Sequence, residues 1–599
     1  MEIESQLVVL CIEAACRSKE SIERWRRQRR TLERMPSVLA DALLHRLLQR
    51  RLLFPSLLEV FKNSVEDVDL RGENAVDAEW MAYLGAFRYL RSLKLADCYR
   101  INSSALWPLV GIGLTRLKEV DLSRCVKVTD VGIRHLTFIS TLEVLRLSGT
   151  SPTEDGIMLL SSLRELSVLE LGDLPVTDRV LSSLQVLRKL KHLDLWGSQI
   201  TNKGVSLLKN FPKLSYLSLA WTGVTLFPNI PSIECLNLSN CTIDTALEGD
   251  GYKAPLAKLI LAGTKIQNEA DMFSWTGSSC LSYLDVSNSS LVDFSFLSEM
   301  EALEHLNLSS SMMGDDSIEW ICCIGASLRS LNLSKTRVTS AGISKLAEHV
   351  PRLEVLSLSY TLINDASISF LGMMSSLKAI DLSSTKVKGL IRQEGAEPDE
   401  IASLLSLLSL NSLESLKLEH TQVDDAALVP LSKMNELSHL SLRSASLTDT
   451  ALHHLSKLSK LTQLGLQSAV LTDNGVGSFK PPGTLKVLDL SDCWLLTEDA
   501  LVSFCGRHPL LEVKHEHLRT SSSDQTGSRH SPSPLSSSRR SQGNRKQAKR
   551  PTTSLPVSRY FIDQRLKYNR EEMLAMQYQP MSLRTTQEME AAVSYMQSN

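Results

Sequence analysis

At 599 residues the chain is too long for one ordinary hydrophobic core, so it is divided into domains or built as a repeat array. Apolar residues make up 43% of it but aromatics only 5%, so the interior must be Leu, Ile, Val and Ala, which suits stacked repeats better than an enzyme core. A formal net charge of -2 speaks against a global field for nucleic acid or membrane, and neither is expected as a partner.

The 11 cysteines are scattered, with no CxxC pair and no zinc spacing. They read as reduced thiols, and the expected location is cytoplasmic and/or nuclear. The apolar stretch Leu7–Cys16 is not read as a secretion signal, because Glu2 and Glu4 precede it and Glu13 interrupts it. No run of roughly 20 apolar residues predicts a membrane span.

Residues 1–61 read as helices. Leu7, Cys11 and Ala15 recur every four residues, with Leu10 and Ala14 beside them, and make one apolar helical face. A basic stretch, Arg24-Trp-Arg-Arg-Gln-Arg-Arg30, follows. Met35-Pro36 then opens a second helix with Val38, Leu39, Ala42, Leu43 and Leu47 as its apolar stripe. One reading of these helices is a cap over the open edge of the array that follows.

Residues 62–518 carry one phrase many times: apolar, two variable residues, apolar, one variable residue, Leu. It appears as Leu90-Arg-Ser-Leu93-Lys-Leu95, Leu117-Lys-Glu-Val120-Asp-Leu122 and Leu142-Glu-Val-Leu145-Arg-Leu147, and its last anchor recurs down to Leu490. The period of about 24 residues lies in the leucine-rich-repeat range. Alternate residues of a short strand point inward, and their neighbours face the concave surface. Shortly after each strand comes a small polar residue, such as Cys98, Cys125, Cys241 and Cys493 or Thr150, Thr222 and Thr361. Its side chain is expected to hydrogen-bond loop backbone. Thr-Asp pairs such as Thr129-Asp130 and Thr448-Asp449 then predict helix N-caps.

The expected fold is therefore α/β: a curved leucine-rich-repeat solenoid with a parallel inner sheet and outer helices. Two units are irregular. The one between Leu219 and Leu238 is short and holds Pro228 and Pro231, which leaves no room for a capped helix. The one between Leu382 and Leu418 is long, and its insert Gly389–Ser406 predicts a protruding loop. Residues 519–554 are Ser-rich and basic and predict a disordered tail, and 555–599 hold one short helical segment.

No phosphate-binding glycine loop, HExxH, nucleophile elbow or kinase signature is present, so no catalytic residue, metal or cofactor is expected. A column of carboxylates on the strands, Asp121, Asp194, Asp285, Asp381 and Asp489, reads as a solvated polar face able to draw basic partners. On the same template Trp196, Tyr216 and Trp221 project to the concave side of neighbouring repeats. Tyr360 shares the Trp221 column, one repeat after Lys335. Exposed aromatics on a curved wall are what interface hot spots look like, so these five are the candidate partner-binding residues.

The wording of the repeats resembles the cysteine-containing and ribonuclease-inhibitor-like repeats of intracellular F-box and zyg-type ubiquitin-ligase receptors. Leu7, Cys11 and Ala15 look like the helix by which such receptors dock on elongin C. Met35-Pro36-Ser37-Val38-Leu39 looks like the downstream cullin box. This resemblance implies Leu7, Cys11, Ala15, Pro36 and Leu39 as adaptor-binding residues. It further implies elongin C or a Skp-type adaptor, and a cullin, as partners, and a protein target on the concave face. Gln6 departs from the small residue or Pro that the docking helix prefers.

Overall fold

The computed structural model describes residues 6–27, 35–110, 114–226, 228, 230–244, 255–267, 273, 280–392 and 400–520. The predicted tail beyond Thr520 lies outside them, as does the Leu7 side chain. Contacts divide the chain into two units, Met1–Ile363 and Asn364–Asn599.

Among the described residues the first unit opens with helices α1 (Gln6–Ala15), α2 (Lys19–Arg26) and α3 (Ser37–Gln49). Ala40, Leu43, Leu44 and Leu47 form the buried face of α3. Val38, placed on that stripe by sequence, is exposed. Pro36 sits at the N-cap position rather than inside the helix. Long basic side chains tie the helices together. Arg46 and Arg50 of α3 both pair with Glu13 of α1, and the Trp25 indole N–H donates to the Ala15 carbonyl at 3.1 Å. Arg26 reaches Ser56 at 3.0 Å.

Thirteen parallel strands of three residues follow in this unit. The first seven are β1 (Asp67–Asp69), β2 (Ser92–Lys94), β3 (Glu119–Asp121), β4 (Val144–Arg146), β5 (Val168–Glu170), β6 (His192–Asp194) and β7 (Tyr216–Ser218). Pairing keeps one register throughout, Leu93 beside Val120, Leu145 beside Leu169 and Leu193 beside Leu217. Each strand buries its central residue and turns the two flanking ones to the open face. Burying one such Leu contributes about 2 kcal/mol, and only the adjacent repeat can supply the cover. The second unit repeats the plan with six sheet strands, from Ala379–Asp381 to Glu512–Lys514.

Local side-chain chemistry explains why the strands are so short. The carboxylate of Asp121 accepts the backbone N–H of Ser123 at 3.0 Å, and Asp194, Asp285, Asp381 and Asp489 hold the N–H two residues on in the same way. These bonds bend the chain out of the sheet. The carboxylate column thus commits one oxygen to its own chain; Asp121 is 8% exposed, and the other four are half-buried. Four residues after the strand centre the backbone adopts positive φ, at Asp97, Arg124, Gly149, Asp173, Gly197 and Trp221 in successive repeats.

Cys and Thr at the following position do different work. Cys98, Cys125, Cys241 and Cys493 each donate a thiol hydrogen to a carbonyl of the preceding repeat, at Leu70, Leu95, Leu219 and Leu466. Burial pushes the Cys125 and Cys493 thiols up to about 12, which keeps them protonated as donors. Thr150, Thr222 and Thr361 instead close their own turn on Leu147, Leu219 and Leu358.

The Thr-Asp pairs do more than cap. Of the predicted caps, Thr448 and Thr472 accept a backbone N–H at a helix start, whereas Thr129 and Thr177 make no such bond; Thr153 and Thr201, followed by Glu and Asn, cap as well. The Asp reaches into the next repeat. Asp130 accepts both the N–H and the hydroxyl of Thr153, at 2.6 and 2.7 Å, and Asp449 does the same to Thr472, at 2.8 and 2.6 Å. This latch dictates glycine at the approach: a Cβ on Gly475 would lie 2.0 Å from Asp449 Oδ1.

Both irregular units are visible. No helix lies among the described residues between Leu219 and Leu238. The long insert forms an antiparallel pair, Leu390–Arg392 with Glu400–Ala402, so it is built on a hairpin rather than a plain loop.

Candidate functional site

All five candidate aromatic and cationic residues fall in the first unit, on the open side of its sheet or at the turns that border it. They do not form one cluster. Tyr216 opens β7 and lies flat on His192 of β6, ring centroids 3.8 Å apart and planes 1° from parallel. It is half-buried rather than freely exposed. Burial pushes the Tyr216 hydroxyl up to about 12, with Asp194 adding to it, and pushes His192 down to about 4, with Arg146 adding to it. Both rings are therefore neutral near pH 7.

Trp196 stands two residues beyond Asp194, and its indole lies across Gly172 of the preceding repeat. A Cβ on that glycine would meet Trp196 Nε1 at 1.8 Å. Trp196 remains 37% exposed and Trp221 is 66% exposed. Trp221, Lys335 and Tyr360 occupy the positive-φ column, at φ of 59°, 57° and 58°. A bulky L-residue costs about 1–2 kcal/mol there, which Gly would not. The sequence accepts this strain and displays two large rings. The Lys335 ammonium sits 5.3 Å from the Tyr360 ring centre, so these two residues form a separate pair several repeats from Trp221.

Strands β3 to β6 add a charged group that the sequence reading did not single out. Arg146 of β4 lies between two carboxylates, its guanidinium 2.5 Å from Glu119 and 2.9 Å from Glu170. Ser92 donates to Glu119 at 2.8 Å. Asp194, beside Glu170 in register, bonds to the Trp196 N–H at 3.1 Å. Burial raises both Glu170 and Asp194 above the usual carboxylate range, against the pull of Arg146 on Glu170. The outward positions of the anchor phrase were the signal that could have revealed this set.

On the N-terminal helices Cys11 is exposed, as are Val9 at 48% and Leu10 at 62%. Ala14 is exposed beside them, while Ala15 is half-buried and Cys16 fully buried. Of the second predicted box, Pro36 is exposed and Leu39 half-buried. Among the described residues no group of three or more His, Cys, Asp or Glu could hold a metal ion. No helix among them is long and apolar enough to cross a membrane.

A family model described as Leucine Rich repeat matches residues 186–209 and 326–347. The fold is a leucine-rich-repeat solenoid. Solved structures with this likeness include an internalin of Listeria monocytogenes, at 18% identity and TM-score 0.36, covering 68% of this chain and 94% of that one. The TLR13–ssRNA13 complex matches at 22% identity and TM-score 0.47, over 65% of this chain and 57% of that one. The leucine-rich-repeat ectodomain of an Arabidopsis thaliana membrane receptor kinase matches at 16% identity and TM-score 0.35, over 77% and 71%. No curated protein matches the chain.

Proposed function

We propose that this leucine-rich-repeat chain is the substrate-recognition subunit of a cullin-type ubiquitin ligase, with α1 as its adaptor-docking helix and the sheet face as its target-binding surface. It performs no chemistry itself. The observation that carries this reading is the apolar surface of α1, where Val9, Leu10, Cys11 and Ala14 are exposed and covered by no element among the described residues, while Glu13 and the Ala15 carbonyl tie the helix to its neighbours. An amphipathic helix held at its back and bare at its front suits insertion into an adaptor groove. Its resemblance to elongin C-docking helices, with Leu7, Cys11 and Ala15 in the motif positions and Pro36 and Leu39 in the following box, names the adaptor class.

The test is a paired measurement on Leu10→Ser/Cys11→Ser. The expected result is loss of elongin C co-purification with a melting temperature within about 2 °C of wild type, since solvent-facing changes alter stability little. A drop in melting temperature with no adaptor on the wild type would leave a second reading, a free-standing interaction scaffold whose helices only cap the array. The buried faces of α2 and α3, at Ile22, Leu43 and Leu47, are what that reading rests on.

A further inference from the structure

The sheet face of β3 to β7 already shows how it holds a guanidinium, and its carboxylates, Glu119, Asp121, Glu170 and Asp194, outnumber its one arginine. Arg146 is shared between Glu119 and Glu170. Asp194, one strand beyond Glu170, has backbone and hydroxyl donors but makes no ion pair among the described residues. The nearest imidazole, His192, stands 3.9 Å from Glu170, but burial against Tyr216 keeps it neutral, so it supplies no charge. Aromatic surface borders this deficit: the Trp196 indole, the flat His192–Tyr216 stack and the exposed Trp221. Carboxylates set at strand spacing beside indole and phenol faces suit guanidinium, which pairs bidentately with carboxylate and stacks on rings; ammonium does neither as well.

We infer that this face docks an arginine-bearing extended segment of the target, with one guanidinium seated between Glu170 and Asp194 and the chain lying along Trp196 and Trp221. The occupant is a partner whose chemistry is set by the charge left unpaired, and the inference rests on the proposal that the sheet face is the target-binding surface. Burial, with Asp194 adding to it, holds Glu170 above the usual carboxylate range despite Arg146; a second guanidinium between Glu170 and Asp194 offsets both effects. Lysine-bearing segments bind the same place more weakly, because ammonium satisfies one carboxylate at a time.

The experiment titrates the full chain with three fluorescein-labelled 12-residue peptides, of alternating arginine and alanine, lysine and alanine, and glutamine and alanine, at 0.15 M salt. The expected order is arginine over lysine, with no binding by glutamine. Glu170→Gln/Asp194→Asn keeps the shapes and the hydrogen bonds to Arg146 and the Trp196 N–H, and should weaken the arginine peptide at least tenfold. Trp221→Ala should weaken it several-fold. Glu301→Gln/Glu436→Gln makes the same charge change at acids away from this face, and should leave binding within twofold. Equal weakening by both double variants means general attraction to acidic surface and overturns the inference, as does absence of arginine-peptide binding. A target captured in cells and lost on Trp221→Ala, yet indifferent to Glu170→Gln/Asp194→Asn, overturns the arginine site while leaving the target-binding face standing.

Discussion

The latched turns and the open sheet face come from the same repeat but obey different rules. At the turns, Asp130, Asp178, Asp315, Asp425, Asp449 and Asp473 each hold the Thr of the following repeat in one geometry. On the face, the residues flanking each strand centre vary, apart from the Asp or Asn that closes the bend in many repeats. The first unit carries Glu119, Arg146, Glu170 and Asp194. The second has Lys417, His439, Gln463 and Lys514 around an open depression of about 240 Å³ whose floor includes Gly465. Backbone hydrogen bonding saturates the turns and leaves little freedom there, whereas an outward strand position is tied to the backbone only where an Asp or Asn closes the bend, as at Asp121 and Asn307. Stability is concentrated in the first region and recognition in the second.

The sharpest way to break that division is Asp449→Ala. It leaves the Thr472 N–H and hydroxyl without their acceptor, which should cost about 1–3 kcal/mol. Denaturant unfolding should show the loss, while arginine-peptide binding at the first unit stays unchanged, because a solenoid passes damage mainly to its neighbours. A loss of peptide binding would show that latch and face are coupled.

A smaller effect is expected where the helices meet the first repeat. Asp41 of α3 has a buried Oδ1 with no hydrogen-bond partner among the described residues, and burial, with Asp67 and Glu66 nearby, raises it to about 6. A carboxyl whose folded value exceeds its unfolded one binds its proton more tightly when folded. The stability it contributes is therefore full below about pH 4 and lost as pH rises through about 6. Thermal unfolding of Asp41→Asn between pH 4 and 7 should lose this part of the slope and leave the variant the more stable at pH 7. An unchanged pH profile would show that Asp41 does not sense its acidic neighbours.

The smallest effect should come from Trp221→Gly. Relief of positive-φ strain is offset by the greater freedom of Gly in the unfolded chain, so stability should stay within about 1 kcal/mol of wild type. Peptide affinity should nevertheless fall several-fold. A clear loss of stability would show that Trp221 packs rather than displays, and would move it from the second region to the first.

Much of the candidate site was legible because the anchor phrase tells which residues face outward. Trp196 and Trp221 were placed on the open side from spacing alone. Tyr216 was placed there too, but its burial was not, since the covering ring belongs to His192, 24 residues earlier. The Asp column was misjudged for a related reason: its carboxylates turn back on their own chain at Ser123, Ser287 and Ser491. The inter-repeat latch was present in the sequence as Thr-Asp pairs recurring at the repeat period, yet a cap and a clamp are spelled alike.

By itself, the sequence determined the period, the parallel register and which side of each strand is buried, because these follow from apolar spacing that only one stacking can satisfy. Tertiary structure alone decided which outward residues pair across repeats. The meeting of Arg146 with Glu119 and Glu170 and the stacking of His192 on Tyr216 depend on side-chain reach between strands some two dozen residues apart. Spacing fixes which residues are neighbours; rotamers and desolvation decide what they do to each other.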